Sequence, residues 1–313
     1  VRTRPLGKTG LDVSELALGT WGLSGDAYGP VLEREIDRVI DRAVTLGVTL
    51  FDTADVYGRG DMERRLGERL PEGTHIVTKI GTDLDASPAR KRFDVSYLRD
   101  AFSRSRDRLR RARVDVVLLH NPTMSALRGG EAIPYLKELK AAGDVTAWGV
   151  SAGSTEVASE AIRQGADVVE LAYNVFNAQD LHALAEPVAS GTTAVLARSV
   201  LAHGLLAGFW SPDREFYPGD HRSERWTCDE LRRRIRQLDT LRPLVSGNLH
   251  TLRAVALRFV LSTPLVTSAV LGPRSTAQLD QLVRDAGTAP PYLRDTQLAD
   301  LGERLKAAGL LAS

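Results

Sequence analysis

The chain has 313 residues, 43% hydrophobic and 26% charged, the profile of a globular protein with room for one large core. Its 41 Lys+Arg against 40 Asp+Glu leave a formal charge of +1, which gives no reason to expect binding to nucleic acid or to an anionic membrane. One cysteine, Cys228, excludes an internal disulfide, and no run approaches the ~20 apolar residues of a spanning helix.

The opening Val1-Arg2-Thr3-Arg4 lacks the apolar core of a signal peptide, so a cytoplasmic protein is expected. Arg4 to Val13 reads as a hairpin turning near Lys8-Thr9-Gly10. Strand-like runs then alternate with helical ones. The strands are Leu16–Leu18, Thr49–Asp52, Ile76–Lys79, Val114–His120, Ala147–Ser151, Val168–Leu171, Thr193–Ala197 and Thr267–Leu271. They are apolar on both parities, as strands covered on two faces are.

Between them, Ile36, Val39, Ile40, Ala43 and Val44 form one helical face. Further helices are expected near Asp61–Leu70, Ser96–Ala112, Glu131–Ala142, Thr155–Gln164, Ala178–Ala189, Leu249–Leu261 and Thr276–Asp285. Gly47, Gly143, Gly165 and Gly191 follow four helices and suit a left-handed residue there. The basic run Arg104 to Arg113 reads as a solvated helix face. The stretch from Phe209 to Leu249 is read as an inserted loop followed by a helix from about Cys228 to Ser246. Eight strand–helix units imply a (β/α)8 TIM barrel with an N-terminal β-hairpin and a long loop after strand seven; a doubly wound sheet is the alternative. With no repeat or linker, residues 1–313 read as a single domain.

Asp52, Lys79 and His120 stand at strand ends, and Tyr57 follows the first on its loop. Parallel α/β proteins place their chemistry at that end. A carboxylate, an ammonium, an imidazole and a phenol there make a proton-relay set. Each has a plainer reading: a capping Asp52, a surface Lys79, a core His120. Lys79 also suits a Schiff base. Gly149-Val150-Ser151-Ala152-Gly153 matches the nucleophile elbow of a serine hydrolase, without a His-Gly-Gly loop before it. Gly7-Lys8-Thr9 lacks the earlier glycine of a phosphate loop, no Gly-x-Gly-x-x-Gly occurs, and the six histidines show no metal-ligand spacing.

The chain resembles the aldo-keto reductase superfamily along nearly its full length. The stretches that carry this are Leu6 to Ser14, Leu18-Gly19-Thr20-Trp21, Phe51-Asp52-Thr53-Ala54-Asp55-Val56-Tyr57-Gly58, Val77-Thr78-Lys79, Val114 to His120, Ala147 to Ser151 and Tyr173-Asn174. The resemblance implies a barrel that binds NADPH/NADP+ and reduces a small aldehyde, ketone or keto-sugar. It puts the catalytic tetrad on Asp52, Tyr57, Lys79 and His120. Tyr57 would be the general acid, its pKa lowered by Lys79; Asp52 would fix Lys79, and His120 would orient the carbonyl.

On the same basis, cofactor contacts are expected at Gly19, Thr20, Ser151, Glu170, Arg198, Ser199, Leu201, Gly204, Leu206, Gly272, Arg274 and Gln278. Substrate contacts are expected at Trp21, Tyr28, His120, Asn121 and Trp226, with part of the Phe209–Trp226 loop above them. Arg274 would take a 2′-phosphate. Four positions depart from the family pattern. Ala152 stands where an Asn is usual, Glu170 where a Gln is, and Arg198 where a tyrosine stacks on the nicotinamide; Arg198 could stack there or pair with Glu170. Leu282 replaces an adenine-binding Asn. A redox-sensing protein on the same barrel, with negligible turnover, is the alternative; no metal is expected, and oligomeric state is open.

Overall fold

The computed structural model describes residues 1–310. Two short strands, β1 (Thr3–Pro5) and β2 (Asp12–Ser14), pair antiparallel as the hairpin. Eight parallel strands close a barrel: β3 (Leu16–Gly19), β4 (Leu50–Asp52), β5 (His75–Ile80), then β8 (Val114–His120), β9 (Val145–Ser151), β10 (Val168–Ala172), β11 (Ala194–Arg198) and β12 (Ser268–Leu271). Between β5 and β8 lies a ribbon the sequence did not suggest, β6 (Thr82–Asp83) with β7 (Arg90–Lys91). Each of the eight barrel strands lies within a residue or two of its expected place.

The two-residue period of a strand decides what faces the axis. Leu50, Val77, Val116, Leu118, Ala147, Val168, Ala194, Leu196 and Val270 fill the interior. The hairpin's Leu6 and Val13 join this cluster. One inward step further along the chain come Asp52, Lys79, His120, Ser151, Glu170 and Arg198. Their convergence is thus a consequence of parity: each stands two residues past an inward Leu50, Val77, Leu118, Gly149, Val168 or Leu196. The opposite parity, including Phe51, Ile76, Val117, Trp148 and Val169, packs under the surrounding helices.

The helix expected over Ala178–Ala189 is two, Gln179–Ala183 and Ala185–Ser190, because Pro187 has no N–H for a continuous ladder. The helix from Cys228 stops at Asp239, ahead of Pro243, and a separate 3-10 turn spans Arg242–Leu244. Gly47, Gly143 and Gly165 have the expected positive φ, but Gly191 has φ −93°; there a Cβ would meet Pro187 O at 2.4 Å, so bulk and not handedness selects glycine. Only the first part of the basic run, to Leu109, lies on the helix Val95–Leu109; Arg110, with φ +52°, ends it, and Ala112 falls beyond, exposed. Arg108 in that run is turned inward onto the fully buried Glu63 at 2.6 Å. A final helix, Asp295–Ala307, was not anticipated; it buries Leu301 and Leu305 beside Leu238, Leu241 and Leu244. No helix among the described residues is long and apolar enough to cross a membrane.

Candidate active site

Lys79 organises the barrel rim. Its Nζ donates to Asp52 Oδ1 at 2.7 Å, Asp52 Oδ2 at 2.6 Å and Thr53 O at 3.0 Å. Glu170 Oε2 lies 3.4 Å away. Asp52, Lys79 and Glu170 are all buried, each residue at most 5% exposed. Burial alone would lower the Lys79 pKa, but Asp52 and Glu170 outweigh it and hold the ammonium charged. A Schiff-base lysine needs the opposite shift. Asp52 is pushed up by burial and by Glu170, against the pull of Lys79. Burial works against Glu170 too, but Lys79, Arg198 and the hydroxyl of Ser151 keep it low.

Tyr57 reaches the rim from a tight turn. Gly58, Arg59 and Gly60 all have positive φ, and Gly58 N–H donates to Asp26 Oδ2 at 2.6 Å. The Tyr57 ring centroid is 5.2 Å from Lys79 Nζ and 5.9 Å from the His120 ring, which stands edge-on to it. The expected lowering of the phenol pKa is not the net result. Burial pushes it above 10, and Asp52 and Glu170 add to the rise, so the opposing Lys79 only limits it. His120 is pushed well down by burial, then by Lys79, Lys91 and Arg198, and is a neutral imidazole near pH 7. Its backbone carbonyl is held by Lys91 Nζ at 2.8 Å.

Around this set, Ser151 Oγ donates to Glu170 Oε1 at 3.0 Å. That hydroxyl is not paired with an imidazole, as a hydrolytic serine would be. Arg198 pairs with Glu170 at 3.8 Å, as one reading of the sequence had it, and donates to Ala152 O at 2.9 Å. Thr20 Oγ1 donates to Asp52 O at 3.0 Å, and Gly19 lies where a Cβ would meet Val270 Cγ1 at 2.8 Å. Ser199 has φ +56° and its carbonyl accepts from Asn174 Nδ2 at 2.9 Å. Asn121 is exposed, with φ +52°. Leu201 is half-buried, whereas the Leu206 side chain is buried in the cluster with Leu238 and Leu252. Gly204 leaves 3.3 Å between a Cβ and the Trp210 ring, and Gly272 faces open space. Arg274 Nη2 donates to Gly29 O at 2.7 Å and Pro30 O at 3.0 Å, and Gln278 Oε1 accepts the Arg274 N–H at 2.8 Å.

Above the rim, Trp21 stacks with Tyr57 at 6.5 Å and packs on Tyr28 at 5.6 Å. Sequence reasoning missed what joins them to Trp226. His221 lies 4.7 Å from Trp21 and 4.8 Å from Tyr28; His203 lies 5.0 Å from His221 and 6.1 Å from Trp226. Burial, then Arg225, pushes His203 down to about 3 and His221 down to about 4, so both are neutral. Arg222, bound to Asp220, stands 4.5 Å over Tyr28 and 4.9 Å over Phe216. The roof is pinned by His221 N–H to Ala27 O at 2.9 Å. The density of Trp, Phe, Arg and His between 203 and 226 was the available signal.

The residues present fit a nicotinamide dinucleotide. Buried polar atoms without a partner include Glu170 Oε2, His120 Nδ1 and Arg274 Nε, which offer acceptor and donor sites on and beside the rim. A cluster of ionisable side chains at the C-terminal end of a closed parallel barrel is where barrel enzymes place their chemistry. The chain belongs to the aldo/keto reductase family, whose family model matches residues 15–289, and is an oxidoreductase that uses a nicotinamide cofactor.

It is similar to the pyridoxal 4-dehydrogenase of Microbacterium luteolum, 27% identical over 90% of this chain and 91% of that protein. It is also similar to an uncharacterized oxidoreductase of Mycobacterium tuberculosis (strain ATCC 25618 / H37Rv), 30% identical over 86% of this chain and 83% of that one. Among solved structures, the glycerol dehydrogenase of Gluconobacter oxydans superposes with a TM-score of 0.85 at 25% identity, covering 99% of this chain and 97% of the other.

Proposed function

We propose that the chain, acting as a single barrel domain over 1–313, interconverts a small aldehyde, ketone or keto-sugar and its alcohol with NADPH/NADP+. The observation that carries this reading is the Tyr57 ring within 5.2 Å of the Lys79 ammonium and 5.9 Å of His120. The cofactor, when bound, supplies or accepts the hydride. Tyr57 delivers the proton to the carbonyl oxygen. Lys79 stabilises the phenolate left behind, and Asp52 keeps Lys79 charged and in place. Neutral His120 orients the carbonyl and donates a hydrogen bond to the developing alkoxide. Trp21, Tyr28 and Trp226 wall the substrate, and the mixed aromatic and imidazole surface suits a small, partly polar carbonyl compound.

Among the expected cofactor contacts, Ser151, Glu170 and Arg198 serve the nicotinamide end, and Arg274 serves the 2′-phosphate, favouring NADPH over NADH. Leu206 contributes only backbone. Two of the similar proteins above are named dehydrogenases, which supports alcohol oxidation as one direction of use.

The test is NADPH consumption with 4-nitrobenzaldehyde. Tyr57→Phe should lower the rate by about 10²- to 10⁴-fold while NADPH binding persists. Unchanged turnover in Tyr57→Phe removes the proposed acid. Tight NADPH binding with negligible turnover across a carbonyl panel points instead to the redox-sensing alternative.

A further inference from the structure

Glu170 carries a charge that its packing does not require. Its side chain is 3% exposed. Oε1 accepts from Ser151 Oγ at 3.0 Å, a role a neutral amide oxygen would fill equally well. Oε2 has no hydrogen-bond partner and stands 3.4 Å from a Lys79 Nζ already bonded to both oxygens of Asp52 and to Thr53 O. Two buried carboxyl groups therefore face one buried ammonium, and since Asp52 is the one pushed up while Glu170 is held low, the charge rests on Glu170. The nearest further cation is Arg198, 3.8 Å off with its side chain 31% exposed. A second buried carboxylate is expensive to desolvate unless it meets positive charge.

Hydride transfer holds the reacting atoms roughly 3–3.5 Å apart. With Tyr57 at the carbonyl oxygen, the transferring ring must lie against this same rim. That ring is cationic when oxidised and neutral when reduced. We propose that Glu170 sets the redox preference of the site, its buried carboxylate favouring oxidised over reduced nicotinamide. The inference rests on the nicotinamide reading above and deepens it.

The test is equilibrium titration of NADP+ and NADPH, separately, by protein fluorescence. Glu170→Gln should lower the ratio Kd(NADPH)/Kd(NADP+) by about tenfold, as expected for removing a unit charge several ångströms away. That corresponds to raising the midpoint potential of the bound pair by about 30 mV. Glu170→Asp, which keeps the charge, should stay within about threefold of wild type. Arg198→Ala, which removes the compensating cation, should move the ratio the other way and gives an independent reading should the Gln variant fold poorly. An unchanged ratio in Glu170→Gln, an equal shift in the Gln and Asp variants, or a fall in Arg198→Ala overturns the inference while leaving the reductase reading intact. Failure of the wild type to bind either form overturns both.

Discussion

Lys79 and Asp52 form a two-point contact, with Nζ 2.7 and 2.6 Å from the two carboxylate oxygens, in a site where neither side chain is more than 6% exposed. Such a contact fixes the ammonium in position and orientation, which a proton relay needs. It also makes the rim dependent on charge balance. Lys79→Met would leave Asp52 and Glu170 buried with no cation between them.

The expected outcome for Lys79→Met is a stability loss of about 3–5 kcal/mol at neutral pH, the usual cost of stranding a buried partner. The carboxylates left unpaired have pKa values raised in the folded state. Stability tied to such groups falls as pH rises through those values, so the deficit should shrink toward pH 5. Denaturant unfolding at pH 5 and 7.5 checks this. Equal midpoints for wild type and variant at both pH values would mean that the pair carries no charge.

Asp55 gives a separate pH dependence. Burial and then Glu63 push its carboxyl up to about 7 from an ordinary 3.8, against Arg108, Lys91 and Arg104, and its Oδ1 has no partner. A raised folded pKa means that the folded protein binds the proton more tightly than the unfolded one. The group therefore costs stability progressively as pH climbs from about 4 to about 7. Asp55→Asn should melt higher than wild type at pH 8, and the advantage should vanish near pH 4. Thermal melts across that range are the measurement; a constant difference between the two proteins would contradict the assignment.

The barrel and its rim were legible because both follow from short-range pattern. Apolar runs on two parities mark covered strands, and the polar residue closing each run marks the rim; Asp52, Lys79 and His120 needed nothing more. Elements set by long-range contact were not legible. His203 and His221 are 18 positions apart and meet over the rim, where His221 N–H also docks on Ala27 O. The Asp295–Ala307 helix buries Leu301 and Leu305 against a cluster assembled from the excursion after β11. The net shift of the Tyr57 phenol was not legible for a related reason. Its sequence neighbours reveal the cation but not the desolvation of a half-buried ring, and desolvation dominates.

The roof over Trp21 and Tyr28 depends on Arg222. Its guanidinium is bound to Asp220 and sits over the rings of Tyr28, Phe216 and Trp210 at 4.5, 4.9 and 5.5 Å. Cation–π contacts in partly desolvated settings contribute about 1–2 kcal/mol. Arg222→Ala should loosen the 209–226 segment, raise KM for the carbonyl substrate by about tenfold and change kcat less. Limited trypsin digestion should cut that segment faster than in wild type. Equal digestion rates and an unchanged KM would show that the roof holds without the guanidinium.

Gly149 and Gly153 separate a structural glycine from a motif coincidence. A Cβ on Gly149 would fall 1.7 Å from Val168 O and 3.1 Å from Leu118 Cδ2, inside the contact between β9 and β10. Backbone cannot withdraw as a side-chain tip can, so Gly149→Ala should destabilise by about 3 kcal/mol or more. A Cβ on Gly153 would meet only Asn121 Oδ1 at 3.8 Å, and Gly153→Ala should stay within about 0.5 kcal/mol of wild type. In a nucleophile elbow both glycines serve the strained turn around the serine, so both changes would abolish a Ser151-dependent activity. In a barrel reductase only the first matters, and it acts through folding. Urea unfolding of the two variants, with carbonyl reduction measured alongside, tells these apart: loss of reduction in a stably folded Gly153→Ala would contradict the barrel account of this segment.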